Sequence, residues 1–447
     1  MRLAALAAIL TLAAGPVLAQ DHPTVRQLRA MLPAGSNLTF QRATPIPGPQ
    51  EGVTLDGVVL TQRNERTTIA SLSLVGLRPD GVVRLAARDV AGQTPTGPIS
   101  MASIEVTGLA VRRRPTGQDP QPDDVKLSTL VVENFAGPGR PAFTIGRVSV
   151  TNWGIGRRTE GEMTGMSFTN IPDSPIDAFS IARLAVAGPD LASLSTQLAA
   201  SRPPSTQPAG RQMAALQGVV LRSGGVVLGG LESLTIEGDT DAQGSGSGRL
   251  ALRGLTVERT PMTTEFFNAA GLERVDASLG IEGTYDAAAG RLVVPAFALG
   301  VRELGAIALA LGIDGYTPEA AQRNDVSRMR LLNARLRYAD QSLYARAVRA
   351  QAQRTGTTEQ AVRDQYAQVV GATLSGGASN PALDGLRDVL LRFIRGEVNV
   401  VELEARPQSP VPLLSLGQTG QQGPGPLVRQ LGITATGRAE PLVSPGR

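Results

Sequence analysis

Apolar residues recur along this chain at one uneven spacing: apolar, two residues, apolar, one residue, apolar, one residue, then Gly or Asn. The copies are Ile69, Leu72, Leu74, Gly76, then Met101, Ile104, Val106, Gly108, and Leu127, Leu130, Val132, Asn134. Ile145, Val148, Val150, Asn152 follow, then Ile181, Leu184, Val186, Gly188 and Leu231, Leu234, Ile236, Gly238. Leu252, Leu255, Val257 form a degenerate copy, with Arg259 in place of the Gly. The interval between copies varies, so a strand recurs here rather than a solenoid repeat of fixed length. Ser71 and Ser73, Ser103 and Glu105, Arg147 and Ser149, Ser233 and Thr235 fall on the alternate parity. A pleated strand sends them to the opposite face, so one face is apolar and the other wet. The closing Gly or Asn tolerates positive φ, which predicts a turn or bulge that ends each strand.

Turn chemistry joins these strands. Pro79, Asp80 and Gly81 sit between two apolar segments, and Gly290 closes a loop between strands near Leu279 to Thr284 and Leu292 to Phe297. The expectation is an antiparallel meander from about Gly52 to about Tyr338. Segments Arg112 to Asp124, Ser201 to Gly210 and Gly238 to Gly248 are rich in Pro, Gly and Ser and read as mobile loops. Thr260 with Pro261, and Thr317 with Pro318, open two short helices.

Beyond Tyr338 the period changes. Asp340 caps a helix carrying Leu343, Ala347 and Val348 that stops at Gly356; Thr357 and Gln360 form a capping box for a second, with Val362, Tyr366, Val369 and Val370 as its stripe. Asn380 and Pro381 start a third, carrying Leu383, Leu386, Leu390, Phe393 and Ile394 and ending at Gly396. A strand at Val398 to Leu403 and a loose segment from Ser415 to Pro426 follow. The fold class expected is mainly β with α: a long antiparallel meander or curved sheet followed by a helical C-terminal region packed on part of its apolar face. The divisions are 1–19, 20–200, 211–338 and 339–447, the last mainly helical with a terminal strand.

Composition places this sheet in a compartment. Met1, Arg2, an apolar run from Leu3 to Ala14 and the small-residue stretch Gly15 to Ala19 read as a secretory signal with Gln20 as the first mature residue; an uncleaved anchor is the competing reading. With Arg supplying nearly all positive charge and Lys126 the only Lys, the composition suggests a GC-rich bacterial genome, hence the periplasm. Cys 0 excludes a disulfide framework, thiolate catalysis and Cys zinc sites, so stability must come from a core. The formal charge of +4, or +3 without Arg2, is no nucleic-acid footprint. The best membrane-span candidate past the signal, Val293 to Ile313, is interrupted by Arg302 and Glu303.

Candidate chemistry is thin. The lone His22 lies near the expected mature terminus, where it frays into solvent and serves neither a triad nor a metal. Asp123 with Asp124 reads as a solvated turn; Glu397, Glu402 and Glu404 flank a strand whose outer face carries them. Aromatics at 3% leave little for the sugar-stacking cleft of a glycosidase. No phosphate-binding Gly-rich loop and no nucleophile elbow stands at a strand-to-helix turn, so no catalytic residue, cofactor or metal ligand is assigned. Arg112, Arg113 and Arg114 are candidate anion contacts, weighed against a solvated strand end. Trp153 is either a core anchor or a partner's anchor point. The candidate binding surface is the apolar face carried by Ile104, Val106, Leu130, Val132, Val148, Val150, Leu184 and Val186.

The segments IEVTGL, VVENFAG, VSVTNWGI and the run from Gly283 to Gly315 resemble the strand arrays of AsmA-like proteins of the Gram-negative envelope. The resemblance spans about Ile69 to Tyr338 and rests on strand texture. It implies a long curved sheet whose apolar trough carries lipid between membranes, and no functional residue is carried over. Three functions compete: a non-catalytic periplasmic envelope protein binding lipid or a protein partner, a closed scaffolding module, and a hydrolase with an unrecognised carboxylate site. An outer-membrane barrel would need aromatic girdles and a terminal aromatic strand, where this chain has few aromatics and PLVSPGR.

Overall fold

A computed structural model describes residues 22–32, 35–62, 65–94, 97–112, 121–201, 209–261, 263–375 and 381–441. The expected signal at 1–19 therefore lies outside the described residues, as do Arg113 and Arg114. The chain is mainly β, with 54% of residues in strands, and the registered pairs are antiparallel. It divides into two compact units, residues 1–208 with 212–227, and 209–211 with 228–447.

The first unit opens with helix α1 (Pro23–Ala30), where the sequence predicts a fraying terminus. His22 is its N-cap: the Nδ1 atom accepts the Thr24 N–H at 3.3 Å. Val25 and Leu28 are buried against the sheet, and each stabilises the fold by about 1.5–3 kcal/mol through transfer from water, enough to hold a helix this short in place. Short strands β1 (Ser36–Thr39) and β2 (Arg42–Ile46) both pair with β3 (Gly52–Gln62). The meander then runs through β4 (Glu65–Arg78), β5 (Gly81–Thr94), β6 (Gly97–Val111), β7 (Val125–Gly137), β8 (Ala142–Trp153), β9 (Glu160–Thr169), β10 (Ala178–Ala187) and β11 (Gly210–Ser223). Helix α2 (Leu191–Ala199) follows β10.

Strand registers explain the uneven apolar spacing. Asp56 pairs with Ser71 and Val58 with Ile69, so Gly57 faces Ala70. Carried from strand to strand, the same line passes through Asp89, Ala102, Asn134, Gly146, Gly165, Ala182 and Gly218. Gly57, Asp89, Asn134, Gly165 and Gly218, on β3, β5, β7, β9 and β11, have positive φ, whereas the residues between them are Ala or Gly. A second line, Gly76, Val83, Gly108, Ser128 and Asn152, puts the positive φ on β4, β6 and β8 instead.

One left-handed residue turns the strand's side chains over by one place. Leu55 and Val58, Leu74 and Leu77, and Val106 and Leu109 are thereby all buried on one face despite their odd spacing. The expectation that the closing Gly or Asn ends its strand holds at Asn152 and Gly188, where β8 stops at Trp153 and β10 at Ala187. It is corrected elsewhere: β4 runs on to Arg78, β6 to Val111 and β7 to Gly137, because there the residue resets the phase without breaking the pairing. The glycines are needed for space as well. A Cβ on Gly218 would lie 2.6 Å from the Ala182 Cβ.

The second unit continues with β12 (Val226–Thr240), β13 (Gly246–Glu258), helix α3 (Thr264–Ala270), β14 (Arg274–Asp286), β15 (Arg291–Val301), β16 (Gly305–Asp314), helix α4 (Pro318–Gln322) and β17 (Arg330–Asp340). The expected loop from Gly238 to Gly248 is a hairpin whose strands pair to Thr240 and Gly246, its turn closed by the Asp241 carboxylate, which accepts the Gln243 and Ser245 N–H groups. Thr317 caps α4 as expected; α3 starts after Thr263 rather than Thr260. Val293 to Ile313 folds as the β15–β16 hairpin, and among the described residues no helix is long and apolar enough to cross a membrane.

Helices α5 (Leu343–Thr355), α6 (Glu359–Leu374) and α7 (Pro381–Arg395) form the C-terminal layer. The cap of α6 is Thr358, one residue later than the capping-box reading, with its hydroxyl accepting the Ala361 N–H. Beyond them come β18 (Val400–Ala405), the two-residue β19 (Val411–Pro412), α8 (Leu413–Gln421), α9 (Pro424–Leu431) and β20 (Ile433–Arg438). The segment expected to be loose is thus largely helical: Leu416 and Leu427 pack with Val411 and Leu431 in a small core.

Candidate functional site

The apolar face of the sheet is closed in a core in the first unit and has both a covered and an open part in the second. In the first, one core takes in Val25 and Leu28 of α1 with residues of β3 to β7, among them Leu55, Leu74, Leu85, Ile104, Val106 and Val132. Ile104 and Val106 are 1% and 2% exposed, so no ligand reaches them, and Val132 lies in the same core. Leu130, Val148 and Val150 are partly buried against that core, while Leu184 and Val186 on β10 are partly buried outside it. The binding face expected from sequence is therefore split: Ile104, Val106 and Val132 are structural, and Leu184 and Val186 lie outside that core but are themselves partly buried.

Phe135, Phe143, Phe168 and Phe179 line up across β7 to β10 on this face. Phe168 stacks on Phe179 with centroids 4.6 Å apart, and Phe135 meets Phe143 edge to face at 5.0 Å. The ladder follows from register: Phe143 pairs with Phe168, and Phe168 with Phe179.

In the second unit two apolar rows cross the sheet. One runs Ile236, Leu250, Ile281, Phe297, Leu309, Leu336, Leu403; the other runs Leu234, Leu252, Leu279, Leu299, Ile307, Tyr338, Val401. At β17, β18 and β20 the helical layer covers them: Phe393 of α7 packs edge to face on Tyr338, and Val401 is buried. On β12 to β17 they stay open, with Ile236 46%, Leu299 38%, Ile307 39% and Leu336 39% exposed. These residues were legible as strand residues; that they, rather than Ile104 and Val132, stay uncovered depends on where the helices settle.

The opposite face carries cross-strand ion pairs, as the alternate parity requires. Arg147 contacts Glu133 at 3.0 Å, Arg84 contacts Glu105 at 2.8 Å, and Arg335 and Arg438 both contact Glu402. Such exposed pairs add about 0–1 kcal/mol each and mainly fix register. Glu404 pairs with Arg406 and Glu397 with Arg392, so the three glutamates flanking β18 are distributed among separate ion pairs.

A cleft of about 670 Å³ at one end of the first unit is lined by Asp80, Ala110, Val111, Arg112, Asp124, Lys126 and Ile155. Asp124 is not the solvated residue expected. Its carboxylate is buried, accepts the Arg112 Nε–H at 2.9 Å and the Gln121 N–H at 2.9 Å, and thereby pins the turn Pro122–Asp124. Arg112, read as an anion contact, is committed to that carboxylate. Trp153 nearby packs on the core and donates its indole N–H to the Pro122 carbonyl at 3.2 Å. No group of three or more His, Cys, Asp or Glu able to hold a metal occurs among the described residues.

Residues 298–438 match a family model described as "Uncharacterized protein". No curated protein matches the chain.

Proposed function

We propose that this chain is a non-catalytic periplasmic protein of the cell envelope that binds lipid or an envelope protein through its apolar sheet face. The observation that carries the reading is the contrast within one pair of rows: Val401 is buried under helices, whereas Leu299 and Ile307 in the same row face solvent. Open apolar rows of this length are costly in water unless something covers them, and surfaces of that kind mark interaction sites. The AsmA-like strand texture and the secretory character of residues 1–19 are consistent with an envelope role. The experiment is native mass spectrometry of the secreted protein, with lipid extraction and hydrophobic-dye binding in parallel. Copurified lipid or partner, lost in Leu299→Asp and Ile307→Asp variants that keep the fold, is the expected result. A native protein that carries nothing and binds no dye would be the closed scaffolding module instead.

A further inference from the structure

The two ends of the strand series differ in how they treat their free edges. At the start, β1 is four residues long and β2 carries Pro45, both devices that discourage a further strand. At the finish, β20 presents six residues, ITATGR, with neither Pro nor bulge. It pairs with β18 along one side, and no strand pairs with its other side among the described residues.

The direction of its free backbone groups follows from the registers of β18 with β17 and β20. The Asp340 N–H donates to the Asn399 carbonyl, while the Asn399 N–H reaches the Arg438 carbonyl at 3.2 Å where the ladder begins. With Tyr338 paired to Val401 on the β17 side, alternation turns Val400, Glu402 and Glu404 toward β20, opposite Arg438, Thr436 and Thr434. Ile433, Ala435 and Gly437 therefore direct their N–H and C=O groups outward. The strand is held in this shape at both ends. The Asn399 side chain accepts the Glu440 N–H and donates to the Glu440 carbonyl, and Gly432 turns in with φ 57°. Arg438 is drawn back to Glu402, so its charge does not face an arriving strand.

The sequence of this edge is self-complementary. The geometry points to β20 as a self-pairing site, where two copies of the chain join antiparallel about a two-fold axis at Ala435. Ala435 then pairs with its own copy and Ile433 with Gly437, each pair exchanging two backbone bonds, and the large side chain lies over the residue that has none. Thr434 meets Thr436 at the closer, non-bonded positions, on the polar face. The protein already uses such hydroxyl pairs between strands: Thr107 and Thr129 touch at 2.6 Å, Thr54 and Ser73 at 2.9 Å. This site is a backbone edge at the helix-covered end of the rows, apart from their open stretch on β12 to β17, and stands whether or not that stretch binds anything.

The test uses the full chain and sedimentation velocity. The native protein is expected to sediment as a dimer and Ala435→Pro as a monomer with unchanged circular dichroism, since that N–H serves no bond within the chain. Because the chain has Cys 0, cysteine pairs give a second readout. Thr434→Cys alone and Thr436→Cys alone should remain unlinked on oxidation, whereas an equimolar mixture should form a disulfide dimer, because only 434 to 436 comes within reach. A monomeric native protein, an Ala435→Pro variant that still dimerises, or a mixture no more cross-linked than its components overturns the proposal.

Discussion

The rings of Tyr338 and Phe393 meet edge to face, centroids 5.9 Å apart with 65° between their planes. One belongs to β17 and the other to α7, so this contact marks where the helical layer sets down on the sheet. Phe393 also leans on Tyr344 at 5.2 Å, and Arg363 lies over the Tyr344 ring. Phe393→Ala removes the shared ring and should destabilise the second unit by about 2–3 kcal/mol, less than a fully buried Phe because the site is partly open. Chemical denaturation checks the loss, and dye binding should rise as more of the apolar row is bared.

The phase-resetting positions separate two effects of substitution. Asn134 already sits at φ 50°, so Asn134→Gly should change stability by less than about 0.5 kcal/mol, whereas Asn134→Val should cost roughly 1–2 kcal/mol. Gly218→Ala should cost at least as much as the valine, because its new Cβ meets Ala182 as well as a strained backbone. Thermal melts of the three variants rank them; an inert Gly218→Ala would remove the close-approach account.

Asp190 ties a loop to a helix. Its carboxylate accepts the Gly156 N–H at 2.7 Å, the Ser193 N–H at 2.9 Å and the Ser193 hydroxyl at 2.6 Å, while the residue is buried. Asp190→Ala strands those donors and should cost about 2–3 kcal/mol. Trp153 is the chain's one Trp and stands three residues before Gly156, so its fluorescence reports the release of this loop directly.

Alkaline pH should loosen the β17–α7 junction. Burial, followed by the hydrogen bond to Asp340, holds the Tyr338 hydroxyl well above its usual range, and burial also raises Tyr344 although Arg363 opposes it. A folded-state pKa above the unfolded one means the contribution is whole below about pH 10 and is lost as pH climbs from there toward the folded value. Phenolate absorbance should therefore appear together with unfolding rather than ahead of it. Tyr338→Phe should flatten part of that decline.

The strand texture was readable from sequence because each copy carries its apolar face and five of them close on a left-handed residue, Gly76, Gly108, Asn134, Asn152 or Gly188. The meander, the Pro79–Asp80 hairpin, α4 and the stripe of α7 follow from local signals alone. What local signals could not supply is which part of the apolar face is covered. Ile104 and Leu299 read alike as alternating strand residues, yet the first lies inside the closed core of the first unit and the second is 38% exposed. The small helices were hidden for a related reason. Near α1 the only cap is a His, and α8 contains Gly417 and Gly420, so both owe their existence to packing rather than propensity.

In the line from Gly57 to Gly218, each left-handed residue is matched across the ladder by an Ala or Gly on the next strand. Two left-handed neighbours, or two bulky ones, would put successive strands out of step. A lineage enlarging or trimming this array must therefore do so by whole hairpins, and homologues of different length should differ by even numbers of strands.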